Sequence, residues 1–523
     1  MESTMSRFRE ALTKKEEFVI TCEFVPGRGL KGKRIDNIMQ FAEDVAGAEE
    51  IHALSLTDNA GGNPAFSADI LGYHLMAMGV DVIVHFSTKD MNRNAIEARA
   101  YALKRHALSN LLVMSGDYPI AGFLGIPKPV FDVDSVMALH YLKRISEGLE
   151  VQEGRKTLTL EGTDFFLGAA ASPFKWTEAS SVLQYYKLEK KIRAGADFMV
   201  SQLGYDSRKY IEFIRYVRDY LGSDIPLIGS VYVLSAGAAR FMNSGEVPGC
   251  YVDDRQLAAI REETKAEDKG KGARLERASR QMAIIKGLGY NGAHLEGLNL
   301  KYQDVTTILG RAAEIGDNWR DYLEDFSYTP ENPYYLFEGG EKVTVPRSGD
   351  AVSLTKTRKK GIGNPSFWMT RLMHKLIFIE NTLGYKLVRA ISRLGEKSKG
   401  FYKLFRFLER NAKKAMFDCR QCDDCALFEL YYLCPESKCP KGMRIGPCGG
   451  SRPNGRCEVF EERLCIWERV YWRAKNRKEL EKLKVIISPR DWGLYETSSW
   501  INYYLKHDHT AVTLDIPEKV KNN

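Results

Sequence analysis

Several features that would assign this chain to a special class of protein are missing from the sequence. No apolar run approaches the roughly 18 residues that a membrane-spanning helix needs. The opening residues, Met-Glu-Ser-Thr-Met, lack the hydrophobic core of a secretory signal peptide. Internal repeats and low-complexity tracts are also missing. We therefore expect a globular protein of the cytoplasm without a membrane span, and its 523 residues predict more than one domain.

Cysteine is almost absent from the first 400 residues, where only Cys22 and Cys250 occur. Eight more cysteines lie within 47 residues near the C-terminus, which favours metal binding over disulfides in a cytoplasmic chain. The first four follow the spacing C-x2-C-x2-C-x8-C-P, which is typical of ligands to a [4Fe-4S] cluster, although four thiolates also satisfy a zinc ion. Two four-ligand sites would use all eight predicted ligands: Cys419, Cys422, Cys425, Cys434, Cys439, Cys448, Cys457 and Cys465.

The net charge of +8 comes from one part of the chain. Between Leu354 and Phe417 there are 16 Lys or Arg and 3 Glu, an excess of +13 that leaves about −5 (8 − 13) for the remainder. This segment is either a solvated helical face or a docking surface for an acidic protein or anionic surface. Because the basicity is local, we expect no nucleic-acid partner.

Strand-like runs alternate with amphipathic helical patterns over the first 315 residues. Eight strands with crossover helices over about 300 residues fit an α/β fold of the (β/α)8 or TIM-barrel type better than an open sheet. We predict a barrel at 1–315, a linker at 316–365 and a small, cysteine-rich, metal-binding α-rich domain at 366–523. The predicted strands are Phe18–Phe24, Ile51–Leu56, Asp81–Phe86, Asn110–Met114, Asp164–Leu167, Asp197–Ser201, Pro226–Ser230 and Asn291–Leu295.

Polar side chains stand where several of these strands end: Glu23, His85, Asp117 and Gln202. Strand carboxyl ends converge on the active face of such a barrel, so Glu23 near Asp117 is a candidate general acid. Each residue taken singly has a plainer explanation as a solvated or hydrogen-bonded group at a strand end. The adjacent Lys190 and Lys191 indicate either surface solubility or phosphate binding.

Taken in order, these segments resemble the methylenetetrahydrofolate reductase family over about residues 17 to 300. The resemblance rests on Glu23-Phe24 with Pro26, His85, Gly116-Asp117, Lys190-Lys191 with Ala194-Gly195-Ala196, Gln202, and His294 to Asn299. The cysteine block resembles the C-terminal domain that accompanies some of these reductases. That similarity rests on Cys434-Pro435, Cys439-Pro440-Lys441, Gly446-Pro447-Cys448-Gly449-Gly450, Cys457-Glu458-Val459, Cys465-Ile466-Trp467 and Thr497-Ser498-Ser499-Trp500.

The resemblance implies a flavoenzyme, usually with FAD, that reduces 5,10-methylenetetrahydrofolate to 5-methyltetrahydrofolate. Glu23 would protonate the folate nitrogen N10 and open the ring to an iminium. Asp117 would lie beside flavin and pterin and stabilise that iminium, and Gln202 would hydrogen-bond the pterin. The residues implied to line the flavin are Ser55 or Thr57, His85, Gly116, Ala170, Lys191 and Leu298.

Three positions depart from the family pattern. Ser115 and Leu300 stand where relatives can carry Arg, so FMN remains an alternative to FAD. Ser172-Pro173 replaces an aromatic-Pro pair, which leaves ferredoxin, another electron-donor protein or NAD(P)H as the donor. We expect an oligomer. The alternative function is a catalytically altered barrel that serves as an electron-transfer or partner-binding subunit with a structural zinc domain.

Overall fold

A computed structural model of the protein describes residues 6–337 and 365–520. The described residues form two compact units, one from 6–337, 449–458 and 517–520, the other from 365–448 and 459–516. The predicted domain boundaries stay a prediction, and residues 338–364, which include most of the predicted linker and the start of the basic segment, lie outside the described residues. No helix in the described ranges is both long and apolar enough to cross a membrane.

The first unit contains a closed barrel of eight parallel strands, which confirms the predicted (β/α)8 fold. Around the barrel the order is β1-β2-β3-β4-β7-β8-β9-β10, and β10 pairs with β1 to close it. An antiparallel hairpin, β5 and β6, was not predicted. The strands are β1 Val19–Phe24, β2 Ala53–Leu56, β3 Val82–Ser87, β4 Asn110–Met114, β5 Glu150–Glu153, β6 Lys156–Thr159, β7 Phe166–Ala171, β8 Phe198–Ser201, β9 Leu227–Tyr232 and β10 Gly292–Glu296.

Helices surround the barrel and connect its strands. They are α1 Arg7–Lys14, α2 Lys33–Val45, α3 Ala68–Ala77, α4 Arg93–Arg105, α5 Ser135–Glu147, α6 Glu178–Arg193, α7 Ser207–Arg215, α8 Ala236–Asn243, α9 Asp254–Glu263, α10 Lys271–Gly287 and α11 Tyr302–Ile315. A π-turn, Tyr216–Tyr220, extends α7, and 3-10 turns occur at Ala60–Gly62 and Gly316–Asp325. The latter turn buries Trp319 and Leu323 in the apolar core beside α10.

The amino-terminal end of the barrel is filled by aromatic rings. Phe8 of α1 is fully buried, and its ring centroid lies 6.0 Å from that of Phe166 and 5.3 Å from that of Phe198. The Phe198 ring packs over Gly168, and a Cβ at that position would lie only 2.2 Å from the ring. With this end packed, the space for a ligand is left at the strand carboxyl ends.

The second unit is helical and has a small aromatic core. Phe378, Tyr385 and Tyr504 are buried together, and Trp500 packs against them. The helices are α12 Pro365–Met373, extended by the π-turn His374–Phe378, α13 Leu383–Lys397, α14 Lys399–Phe417, α15 Pro435–Lys438, α16 Ile466–Lys475 and α17 Ser499–Leu505, with 3-10 turns at Leu480–Lys484, Trp492–Leu494 and His509–Ala511.

Candidate active site

The strand pair β1 and β10 builds the centre of the candidate site. Their register places Thr21 opposite His294, and the Thr21 Oγ1 to His294 Nδ1 distance is 2.6 Å. On the other side of the ring, His294 Nε2 lies 3.4 Å from Glu23 Oε2. Side chains two residues apart on a strand share a face, so Glu23 and Glu296 both stand one layer nearer the barrel mouth than this pair.

His85 of β3 completes a group of three with Glu23 and His294. Its Nε2 lies 2.8 Å from Ser55 Oγ and 3.7 Å from Glu23 Oε2. One atom each from Glu23, His85 and His294 lie within 4.8 Å of one another, a spacing that a metal ion could also span. The His85 ring already has Ser55 as a hydrogen-bond partner, and the His294 ring has Thr21. We therefore interpret the group as an acid-base network.

The network contains one ion pair. Burial alone would raise the pKa of Glu23, but the hydrogen bond from His294 and the charge of that ring help to outweigh it, so the pKa lies below its ordinary value. For His294, burial lowers the pKa, yet the bond and charge of Glu23 produce a net rise. Burial lowers the pKa of His85 to about 4, so at neutral pH its ring is uncharged.

Asp117 is held by the loop that follows β2. Its Oδ2 accepts a hydrogen bond of 2.8 Å from the Gly61 nitrogen. The two loops are in close contact, because a Cβ on Gly62 would lie 2.1 Å from the Tyr118 carbonyl oxygen. Gly116 has φ +83°, and a Cβ there would lie 2.1 Å from Ser87 Oγ. Backbone contacts thus fix where the Asp117 carboxylate sits.

The loop before α9 connects the remaining predicted residues to this centre. A Cβ on Gly249 would lie 3.4 Å from Gln202 Nε2. Burial raises the pKa of its neighbour Cys250, and three carboxylates raise it further: those of Glu296, Asp117 and Glu23. The predicted acids and Gln202 therefore converge on one end of the barrel.

Helix α6 places three lysine amines in a buried position. Lys187 Nζ lies 3.3 Å from Asp134 Oδ2, and both side chains are buried. Burial, together with the charge of Lys187, lowers the pKa of Lys190 and of Lys191 to about 7 each. Lys191 Nζ donates to the Ala170 carbonyl oxygen. The carboxylates of Asp134 and Glu189 act on this group of three amines, and an anion would stabilise it further.

Sequence comparison assigns this barrel to a family. The profile described as methylenetetrahydrofolate reductase matches residues 7–312, more than half of the chain, and the one described as methylene-tetrahydrofolate reductase C terminal matches residues 399–493. The chain belongs to the methylenetetrahydrofolate reductase family. The resemblance seen in the sequence is thereby confirmed for both parts.

Individual relatives are distant from this family member. It is 24% identical over 261 residues to a probable methylenetetrahydrofolate reductase (NADPH) of Caenorhabditis elegans, covering 47% of this chain and 36% of that protein. It is 22% identical over 258 residues to methylenetetrahydrofolate reductase 2 of Schizosaccharomyces pombe, covering 46% and 37%. The match thus spans little more than a third of either relative.

A solved structure also aligns with this reductase-family chain. It is an uncharacterized protein from Clostridium thermocellum described as binding two copies of 5-methyl-5,6,7,8-tetrahydrofolic acid. The TM-score is 0.42 with 11% identity, over 59% of this chain and 98% of that one.

The other residues that the family resemblance assigned to flavin differ in their exposure. Ser55 and Thr57 are buried, and Thr57 Oγ1 has no hydrogen-bond partner among the described residues. Ala170 is half-buried, with its carbonyl oxygen bonded to Lys191, whereas the Leu298 side chain is 57% exposed. An unpaired buried hydroxyl requires a partner, so Thr57 fits a ligand contact better than Leu298 does.

The part matched by the C-terminal family profile contains the first four predicted cysteine ligands. Burial, and to a lesser degree the charge of Cys434, raises the pKa of Cys419, Cys422 and Cys425. Burial raises the pKa of Cys422 to about 11. Lys413 is buried beside Cys425 and Cys419 and donates a 2.7 Å hydrogen bond to Ser499 Oγ. A buried ammonium beside these thiols would favour their thiolate form, which metals bind.

Sequence reasoning assigned no role to several residues of this candidate site, and it named His294 only as part of the family motif. His294 and Glu296 end a predicted strand two residues apart, so the strand-end rule that found Glu23 could have found them. Lys187 stands one helical turn before Lys190 and Lys191, a spacing that places it on the same side of α6. No local signal marked Cys250, because its placement depends on how the loop before α9 folds over the barrel.

The contact that holds Asp117 can be tested with neighbouring glycines. Gly61→Ala and Gly62→Ala should each cost about 1–2 kcal/mol, because both residues have positive φ (+62° and +72°). Gly62→Ala should cost about 1–3 kcal/mol more, since only its Cβ meets the Tyr118 carbonyl, while the Gly61 Cβ has nothing nearer than 3.5 Å. Chemical denaturation of both variants measures the difference, and equal losses would contradict the proposed loop contact.

Proposed function

We propose that this chain is a flavin-dependent reductase that converts 5,10-methylenetetrahydrofolate to 5-methyltetrahydrofolate. The observation that carries the proposal is the cluster of Glu23, His85 and His294 at the barrel mouth, with Asp117 held by the Gly61 nitrogen and Gln202 beside Gly249. These groups come from separate strands of a barrel of this family. They supply an acid, an anion and a hydrogen-bonding amide in one place.

Glu23 and Asp117 have different roles in this proposal. Glu23 would carry a proton to N10 of the substrate, which opens the five-membered ring to an electrophilic iminium. His294 orients the Glu23 carboxyl through the Oε2 contact. Asp117, fixed by the Gly61 nitrogen, would place a negative charge near the developing cation. Gln202 would orient the pterin by hydrogen bonds.

The residues present fit a flavin. Thr57 Oγ1 is a buried hydroxyl that needs a partner, and the α6 lysines would form an anion site. When bound, reduced flavin supplies the hydride. Lys191 with Lys190 would hold its phosphates, which both FAD and FMN carry, and FAD is the form we propose.

The four thiols of Cys419, Cys422, Cys425 and Cys434 fit a metal centre. Their spacing is that of cluster ligands, and Lys413 would offset the negative charge of a thiolate-ligated cluster. We therefore propose a [4Fe-4S] cluster, with zinc as the alternative. Cys439, Cys448, Cys457 and Cys465 would provide a second set of ligands.

Electrons would come from ferredoxin or another donor protein, with NAD(P)H as the alternative. One contact supports a route through the cysteine-bearing part. Residues 449–458, which include Cys457, belong to the barrel unit, and Lys175 Nζ donates a 2.8 Å hydrogen bond to the Ser451 carbonyl oxygen. A cysteine is thereby carried on a segment packed against the barrel. We also propose that the protein works as an oligomer.

Glu23→Gln tests the acid. The variant keeps the shape of the side chain but has no acidic proton, so methyltetrahydrofolate formation should fall at least about 100-fold while flavin reduction by an artificial donor is unchanged. Glu262→Gln, at a side chain 71% exposed, is the control and should behave as the wild type. Normal folate turnover by Glu23→Gln would eliminate the acid role.

The lysines predict how flavin affinity depends on pH. Because the pKa of Lys190 and of Lys191 lies near 7 without ligand, both must take up a proton above that pH to hold a phosphate. The Kd for FAD should therefore rise between pH 7 and 9, by up to about tenfold per pH unit for each lysine involved. Isothermal titration measures it. Lys191→Met should bind more weakly with a flatter pH dependence, whereas Lys265→Met, 72% exposed, should follow the wild type. A flat wild-type curve would contradict the phosphate role.

Cys422→Ala tests the metal centre. Removing one of four ligands should strip the ion or cluster of that site, and Cys22→Ala, a buried cysteine of β1, should leave the metal content unchanged. Elemental analysis under anaerobic conditions, with a visible spectrum, distinguishes iron and sulfide from zinc. Unchanged metal content in Cys422→Ala would refute its assignment as a ligand.

A further inference from the structure

A second carboxyl group stands beside the proposed acid. Glu296 ends β10 two residues beyond His294, and its residue is only 7% exposed. Thr21 pairs with His294 across the adjacent strands β1 and β10. Glu23 and Glu296 each lie two residues further along their strand, so they occupy equivalent positions on the same face. The register therefore places two inward-facing carboxyls next to each other in a buried layer.

The surroundings of Glu296 offer little to stabilise a second negative charge. Ser230 of β9 acts on its carboxyl group, but the Ser230 hydroxyl donates a 2.6 Å hydrogen bond to the Ser201 carbonyl oxygen. His294 is the cation that acts on Glu296, although that ring is already bonded to Glu23. Two carboxylates that share one cation in a buried site cannot both remain ionised at ordinary cost. The titratable groups facing Glu296 are Glu23, His294, Tyr232, Tyr205, Tyr210 and Cys250.

Glu23 and Glu296 differ in protonation, with the proton on Glu296. Burial, followed by the charge of Glu23, raises the pKa of Glu296 to about 8. The His294 contact keeps the pKa of Glu23 low, as described above. At neutral pH the ligand-free site thus has an ionised Glu23 in contact with its histidines and a neutral Glu296 beside it. This creates a difficulty for Glu23, because a general acid must hold a proton when the substrate arrives.

We propose that Glu296 holds the proton that Glu23 delivers to the substrate, and so acts as a positioning residue for the acid step. This inference rests on the proposed function. The O–H bond of Glu296 breaks, and its proton passes, directly or through one water, to the Glu23 carboxylate. Glu23 then gives a proton to N10, and Glu296 recovers one from solvent. One proton moves from water to the substrate, and no electron moves in this relay.

Infrared spectroscopy reports the proton without any turnover. At pH 7 the wild-type minus Glu296→Gln difference spectrum should contain the C=O stretch of a protonated carboxyl, and that band should titrate away near pH 8. Gln is close in shape to Glu, which limits structural change. A difference spectrum without this band would overturn the inference.

The pH profile of folate reduction gives the second readout, with flavin reduced beforehand by an artificial donor. Wild-type turnover should fall about tenfold per pH unit above pH 8, as Glu296 loses its proton. Glu296→Gln should lose about tenfold or more at pH 7 and should lack the limb near pH 8. Glu296→Asp restores a carboxyl and should recover part of the rate. An unchanged limb in Glu296→Gln would refute the relay.

The two measurements separate this inference from the proposed function. If the wild-type protein reduces no folate, the proposed function fails, while the infrared band still decides whether Glu296 holds a proton. If the wild type is active and Glu296→Gln matches it at every pH, the relay alone fails. Circular dichroism of the variant shows whether a loss of rate reflects unfolding.

Discussion

The hydrogen-bonded register between β1 and β10 is the constraint on which the candidate site depends. It places Thr21 opposite His294, and through the alternation of strand side chains it fixes the layer above, which Glu23 and Glu296 occupy. A slip of one residue would turn every one of these groups to the outer face of the barrel. The chemistry of a carboxyl group at the mouth is therefore set by backbone pairing and by closure of the barrel, and the local sequence around Glu23 contributes little to it.

The barrel unit contains two buried clusters of titratable side chains that differ in their charge balance. At the mouth, Glu23 and His294 form one ion pair, while His85 is neutral, so the network is close to balanced without a ligand. On α6 three lysines lie near the carboxylates of Asp134 and Glu189, and burial lowers the pKa of two of the amines, Lys190 and Lys191. Burying charge without a partner is costly, so the first group is suited to moving a proton and the second to receiving an anion.

Local signals were enough to locate the eight barrel strands, although not all of their ends. The predicted Asn110–Met114 agrees with β4 at both ends, because a buried apolar run stops where Ser-Gly breaks it. The predicted Asp164–Leu167 began too early and ended short, since the small residues that complete β7 carry no strong strand signal and were selected by the Phe198 ring packed over Gly168. The position of Cys250 and the carboxyl pair of Glu23 and Glu296 depend on strand register and loop folding, which no window of sequence reveals.

The departure at Ser172 has a physical explanation that only the fold supplies. A Cβ on Gly449, which has φ +97°, would lie 2.8 Å from Ser172 Oγ, so the backbone of segment 449–458 passes directly over that side chain. The same segment also contacts Gly249, which lies beside Gln202. A Cβ on Gly249 would lie 3.2 Å from the Gly449 carbonyl oxygen. An aromatic ring at position 172 would collide with this backbone. The small residue directly after β7 and the glycine on the distant segment are therefore one packing solution, in which the chain closes part of its own rim.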